Sequence, residues 1–274
     1  MKIKKVWAIF FSPTDTTKKV VCRIADNLAS GLSASREDYD FTLPKKRTDF
    51  PSVSGEAGDL IVFGTPTYAG RVPNVLLKYL ASIKGNGAQA IPVVTFGNRN
   101  FDNSLLELKD ILLSAEFRPI AAAAFSCEHS FSYTLGAGRP DKCDFAELDD
   151  FSENLCRLIL ENNINGQLNL PGIPQTYGGY YKPQDRNGIH IDIRKVTPKV
   201  SDNCTNCGIC ASVCPMGSID PDNVKAMTGI CIKCGACFKK CPVSARYFDD
   251  EGYLYHKTEL EEIYTRRASN RFFI

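Results

Sequence analysis

The chain has 274 residues, 33 Lys and Arg against 31 Asp and Glu for a formal net charge of +2, and 43% hydrophobic residues. The balanced charge argues against a nucleic-acid partner, and the apolar content is ample for a buried core. No apolar run approaches the roughly 20 residues of a membrane span. The start, Met1–Lys5, carries signal-like positive charge. The apolar Val6–Phe11 behind it is shorter than a signal-peptide core of about 7–15 residues, so we expect a first strand and a cytoplasmic protein.

In chain order, Val6–Phe11 reads as a β-rich run, followed by the hydroxyl-rich Ser12–Thr17 and then Lys18–Leu32, where Val21, Ile24, Ala25, Leu28 and Leu32 recur at helical spacing. A short strand is expected at Asp40–Leu43, before a polar loop. Leu60–Gly64, Ile91–Phe96 and the alanine-rich Ile120–Phe125 are further strand candidates, and helical patterns lie at Asn74–Ile83, Asn103–Glu116 and Phe145–Leu160. Alternating strands and helices predict an α/β fold: a five-stranded, doubly wound parallel sheet in the order 2-1-3-4-5, with a ligand site at the carboxyl ends of the strands. Residues 164–196 have the Gly, Pro, Asn and Tyr content of a linker. At its end, Ile189, Ile191 and Ile193 alternate with polar residues and predict a short strand at the edge of a second domain. Residues 248–274 form a tail with one expected helix, Thr258–Arg267.

Eight of the 12 cysteines fall between Cys204 and Cys241. Cys204, Cys207, Cys210 and Cys214-Pro215 are repeated 27 residues later as Cys231, Cys234, Cys237 and Cys241-Pro242. Zinc ribbons use paired C-x2-C hooks and need neither a third cysteine nor a fourth before proline in both copies. The run C-x2-C-x2-C-x3-C-P, twice, resembles the bacterial two-cluster ferredoxins, in which the fourth cysteine of each run ligates the other cluster. That resemblance implies one [4Fe-4S] cluster on Cys204, Cys207, Cys210 and Cys241, and another on Cys231, Cys234, Cys237 and Cys214. Gly208 and Gly235 sit inside the loops, where a positive φ is expected. Lys233, Lys239 and Lys240 beside the second loop read either as a solvated rim or as a docking patch for an acidic redox partner.

The Ser12–Thr17 loop offers the hydroxyls of Ser12, Thr14, Thr16 and Thr17 and backbone N–H groups at a helix start, a place for a phosphate. It lacks the lysine and spacing of a P-loop. This loop on a five-stranded parallel sheet resembles the flavodoxin family. Two further loops at carboxyl ends of strands add to the resemblance: one through Pro66, Thr67, Tyr68, Ala69, Gly70 and Arg71, the other through Phe96, Gly97, Asn98, Arg99, Phe101 and Asp102. The likeness implies bound FMN, with Tyr68 and Phe101 flanking the ring and backbone groups of Thr67, Gly70, Gly97 and Asn98 reading its polar edge. Asp15 stands where the family usually has Gly. It tolerates a left-handed backbone, but its carboxylate would repel a phosphate. Arg71 and Arg99 are candidate cations beside the ring, where they would favour an anionic reduced flavin. His129 is expected in a solvated loop, His190 and His256 as structural or exposed, and Cys127 as a buried thiol.

Taken whole, the sequence is similar to the flavodoxin–ferredoxin fusion family of anaerobes. The expected organisation is a flavodoxin-like FMN domain at 1–163, a linker at 164–196, an α+β ferredoxin domain at 197–247 and a tail at 248–274. The resemblance implies an electron-transfer protein that passes single electrons between two [4Fe-4S] clusters and FMN, and on to redox partner proteins. The alternative is a flavin-dependent oxidoreductase acting on a nicotinamide or quinone.

Overall fold

In a computed structural model that describes residues 2–48, 54–164 and 166–274, five parallel strands alternate with helices. They run β1 (Lys5–Phe10), α1 (Thr16–Gly31), β2 (Ser35–Asp40), α2 (Pro44–Thr48), β3 (Asp59–Pro66), α3 (Leu77–Leu80), β4 (Gln89–Phe96), α4 (Ser104–Ser114), the two-residue β5 (Arg118–Pro119), β6 (Ala122–Ser126) and α5 (Lys142–Leu160). The main parallel strands lie in the order β2-β1-β3-β4-β6, the predicted doubly wound flavodoxin-like order, with β5 pairing only the start of β4.

Side-chain alternation splits the core by face. Val6, Ala8 and Phe10 of β1 bury one way with Val21, Ile24 and Leu28 of α1 and Leu148 and Leu155 of α5. Ile9 of β1 and Phe63 of β3 bury the other way with Leu105, Leu108 and Leu112 of α4. Both faces of the sheet are therefore apolar, as a parallel sheet covered by helices requires.

The structure corrects several expectations. The second strand lies at Ser35–Asp40, ahead of the expected Asp40–Leu43, and α2 replaces part of the polar loop. β2 reads SREDYD because it is an edge strand, whose charges blunt further pairing. The helical pattern at Asn74–Ile83 becomes a 3-10 turn, Asn74–Leu76, followed by the four-residue α3. No strand forms at 189–193; His190 makes a single bridge to Gln184. Instead β7 (Lys199–Val200) pairs antiparallel with β8 (Arg246–Tyr247) around the cysteine repeats, which carry the one-turn helices α6 (Ile209–Ser212) and α7 (Ala236–Lys239).

The tail is part of the sheet. Its helix α8 spans Glu251–Ile263, earlier than expected, and β9 (Arg271–Phe273) pairs antiparallel with β6. Phe272 stacks on Phe151 of α5 at 4.9 Å and meets Phe125 edge-on at 5.6 Å.

Candidate functional site

The two cysteine repeats turn on left-handed glycines, Gly208 at φ 75° and Gly235 at φ 78°, each opening a one-turn helix. Two cavities follow. One is ringed by Cys214, Cys231, Cys234 and Cys237, the other by Cys204, Cys207, Cys210 and Cys241, with empty volumes of about 380 and 320 Å³ that include space open to solvent. Each ring thus draws three cysteines from one repeat and the pre-proline cysteine from the other. Among the described residues, no three His, Cys, Asp or Glu side chains converge tightly enough for a single metal ion. Thiols spread around a void suit a polyatomic cluster better than one zinc with sulfurs at about 2.3 Å.

The charge environment also fits a cluster. Burial pushes the Cys237 thiol up to about 12 and Cys234 higher still, so neither sheds its proton without a cation to take its place. The pre-proline sulfurs receive matching backbone donors: Ser218 N–H to Cys214 Sγ at 3.3 Å and Ala245 N–H to Cys241 Sγ at 3.2 Å. Such bonds stabilise sulfur-centred negative charge and tune cluster potential. Arg246, 5% exposed, lines the second cavity and donates from Nη2 to Cys210 Sγ at 3.2 Å, while its buried Nη1 has no partner. A buried guanidinium with a spare donor matches an anionic cluster. Arg246→Leu should lower that cluster's potential by on the order of 60 mV, a loss of roughly 1.4 kcal/mol of charge stabilisation. Spectroelectrochemical titration reads the shift, and an unchanged potential would remove Arg246 from this role.

The iron–sulfur half sits against the carboxyl ends of the strands. Lys240 pairs with Asp15 at 2.9 Å, and Lys239 pairs with Glu128 at 2.5 Å while lying 4.0 Å from the centre of the Tyr133 ring. Lys233 donates to the carbonyls of Arg194 and Cys231. Lys239 and Lys240 are thus paired with acids of the sheet half, while Lys233 is bonded to backbone carbonyls beside its own loop. Arg47 of α2 donates to the Pro215 carbonyl at 2.5 Å. A Cβ on Gly235 would strike the Ser130 carbonyl in the loop after β6, whereas one on Gly208 would meet nothing within 4 Å. Gly208→Ala should cost only the left-handed strain of about 1–2 kcal/mol. Gly235→Ala should cost about 1–3 kcal/mol more, as the docked loop is forced apart. Paired thermal melts compare the two, and equal losses would contradict the contact.

At the candidate phosphate loop, Ser12 and Thr17 are buried. Ser12 Oγ accepts from Lys18 N–H at 2.9 Å, and the Thr17 and Thr95 hydroxyls bond at 2.7 Å. Among the described residues the N–H groups of Thr14, Thr16 and Thr17 have no acceptor in the chain. They leave a donor cradle at the α1 N-terminus that fits a phosphate. Asp15 takes φ 66°, the left-handed turn expected of it, and Lys240 balances its carboxylate.

The ring loops differ from expectation. Phe101 is 6% exposed and packs on Phe96 at 5.4 Å inside the core. Arg71 is locked to Glu107 through two bonds of 2.9 and 2.6 Å, and Arg99 is paired with Asp102. Both candidate cations are thus held by acid partners at the ring loops. The Asn98 side chain is spent on the tail, donating to the Tyr264 and Arg266 carbonyls and accepting from Ala268 N–H, and its own carbonyl accepts from Arg266. The linker crosses both loops: Tyr181 N–H donates to the Ala69 carbonyl, its ring lies 4.3 Å from the Arg99 guanidinium, and Tyr177 and Tyr180 cover Arg71. Thr67 bonds the Ser104 hydroxyl, and its N–H donates to the Thr95 carbonyl. Tyr68 remains the aromatic candidate. Burial raises its phenol well above the usual value, and the nearby Cys234 and Cys231 raise it further.

His129 packs on Gly97, where a Cβ would strike its ring, and burial lowers it to about 3, with His256, Lys239 and Arg99 adding to the shift. It is not a solvated loop histidine. His256 is 3% exposed between Phe131 and Tyr181, with Nδ1 unpartnered, and burial lowers it to about 4. The folded chain thus holds His256 neutral while the unfolded chain takes up a proton below about pH 6.5. Stability should fall by up to about 3 kcal/mol between pH 6.5 and 4 on this account. Denaturant melts of His256→Phe should show a flatter acid limb, and an unchanged limb would assign the loss elsewhere. Cys127 is buried and Cys143 exposed.

Residues 203–246 match the family model of the 4Fe-4S dicluster domain. No curated protein matches the chain significantly. Among solved structures, the chain is similar to a flavodoxin of Streptococcus pneumoniae TIGR4, with 19% identity and a TM-score of 0.40 over 56% of this chain and 98% of that one. It is similar to a flavodoxin from the domain Archaea, with 11% identity and a TM-score of 0.39 over 57% and 99%. It is also similar to an apo NADH:FMN oxidoreductase, with 18% identity and a TM-score of 0.40 over 57% and 89%. The flavodoxin-like feature of the chain is its strand order, β2-β1-β3-β4-β6. The chain combines a flavodoxin-like α/β sheet with a 4Fe-4S dicluster domain, the equipment of a redox protein. Among the described residues no helix is long and apolar enough to cross a membrane.

Proposed function

We propose that this chain is an electron-transfer protein carrying two [4Fe-4S] clusters and FMN. One cluster is held by Cys204, Cys207, Cys210 and Cys241, the other by Cys214, Cys231, Cys234 and Cys237. The observation that carries this reading is the pair of cavities, each ringed by four cysteines exchanged between repeats. The free N–H groups of Thr14, Thr16 and Thr17 support the FMN phosphate site, and Tyr68 is the residue left to meet the ring. Bound FMN supplies a centre that takes up two electrons singly, next to clusters that pass one each. The chain's part is to hold all three at fixed spacing. Lys239 and Lys240, paired with Glu128 and Asp15, keep the halves together.

The oxidoreductase alternative needs an open approach to the ring. Tyr177–Tyr181 and the tail cover the two ring loops, which favours the carrier. A reductive titration of the anaerobically loaded protein should consume about four electrons per chain, two at the clusters and two at the flavin. Consumption of about two with no bleaching of a flavin band would remove FMN from the account, about two with flavin bleaching alone would remove the clusters, and none would remove both.

A further inference from the structure

The two cysteine rings are unequally placed. The ring of Cys214, Cys231, Cys234 and Cys237 faces the sheet. Cys234 is 8% exposed, and Ile232 in the same wall packs against the sheet core. Phe248, also in that wall, stacks on Tyr253 at 4.1 Å, and Tyr253 meets Phe131 of the loop after β6 at 5.0 Å. Pro215 accepts from Arg47, and Gly235 lies on the Ser130 carbonyl. The ring of Cys204, Cys207, Cys210 and Cys241 faces solvent. Cys207 is exposed, and Ile209 and Val243 on its rim are 37% and 39% exposed. Among the described residues, no residue lining this second cavity hydrogen-bonds to the sheet half.

Electron transfer slows steeply with distance, so position sets the order of the centres. We infer that the Cys214/Cys231/Cys234/Cys237 site is the inner relay to the flavin edge of the sheet, and that the Cys204/Cys207/Cys210/Cys241 site is the outer port that meets an external one-electron carrier. This rests on the function proposed above. With the sites loaded, the Cys204/Cys207/Cys210/Cys241 site would take one electron from an external donor, which would be oxidised by one electron, and the Cys214/Cys231/Cys234/Cys237 site would hand it on to the flavin edge. Two such passages with two protons from solvent would balance full reduction of a flavin.

The test uses the full chain, loaded without oxygen, with its iron and flavin counted first. A timed pulse of ferricyanide dismantles the accessible cluster, and iodoacetamide then marks the released thiols for peptide mapping. Cys204, Cys207, Cys210 and Cys241 should be marked at least about tenfold sooner than the other four. Simultaneous marking, or the reverse order, would overturn the assignment. A second measurement follows the magnetic relaxation of one-electron-reduced flavin. Enhancement by a reduced cluster should survive Cys207→Ala and vanish in Cys234→Ala. An unenhanced flavin in the unaltered chain, or the opposite pattern in the variants, also overturns it. A chain with about eight irons and one flavin but the wrong order loses only this inference, whereas a chain without flavin loses the underlying function.

Discussion

Cys214→Ala is expected to cut the iron content from about eight to about four per chain, and the cluster it destroys should belong to the other repeat. Cys214 lies in the first run of cysteines but lines the cavity of Cys231, Cys234 and Cys237. Alkylation of the variant should therefore mark Cys231, Cys234 and Cys237 while Cys204, Cys207 and Cys210 stay protected. The opposite pattern would mean that each repeat closes its own cluster. Cys241→Ala is the mirror case, exposing Cys204, Cys207 and Cys210.

Arg139→Ala should destabilise the chain by about 3–5 kcal/mol, a large share of the stability of any domain. Arg139 and Asp144 side chains are 4% and 0% exposed, joined by two bonds of 2.6 and 3.0 Å. Arg139 also donates to the Ala268 carbonyl at 2.7 Å, and Asp144 accepts from Asn270 at 3.0 Å and from Asp141 N–H at 2.9 Å. The network thus ties α5, the tail and the Asn98 loop together, and removing the guanidinium leaves the buried carboxylate with only the half-exposed Arg267, 3.0 Å away, as counter-charge. Burial alone would raise the Asp144 carboxyl, but its hydrogen bonds from Arg139, Asp141 and Asn270 outweigh that and hold it below the usual carboxylate value. Its stabilising contribution is therefore present above about pH 4 and is lost as the pH falls through its depressed folded value. Melting at neutral pH should drop by roughly 6–20 °C. Adding Asp144→Asn should recover part of the loss, because no charge is left unpaired. A drop of a degree or two would show that solvent reaches the carboxylate.

Whatever chemistry imposes on spacing could be read from the sequence. Four thiols around a cluster need fixed intervals, so the cysteine runs stood out, as did the β-rich stretches of the buried strands. β2 was hidden by its own exposure: SREDYD carries the charges of an edge, not the apolar run of a core strand. β9 was hidden by brevity, since three residues acquire meaning only when β6 offers an edge. The short strand suggested by Ile189, Ile191 and Ile193 finds no partner beyond the Gln184–His190 bridge. The ring-loop candidates come from their position after the strands, whereas the partners of their side chains come from distant segments. Glu107 claims Arg71, Asp102 claims Arg99, and the tail claims Asn98. The lysines beside the second cysteine loop read as outward-facing because Asp15 and Glu128 are over a hundred residues away in sequence.

The most direct test of the account is the composition of the protein purified without oxygen. It should contain about eight irons, an equal amount of acid-labile sulfide and one FMN per chain. A colourless preparation, or one holding zinc in place of iron, would contradict it.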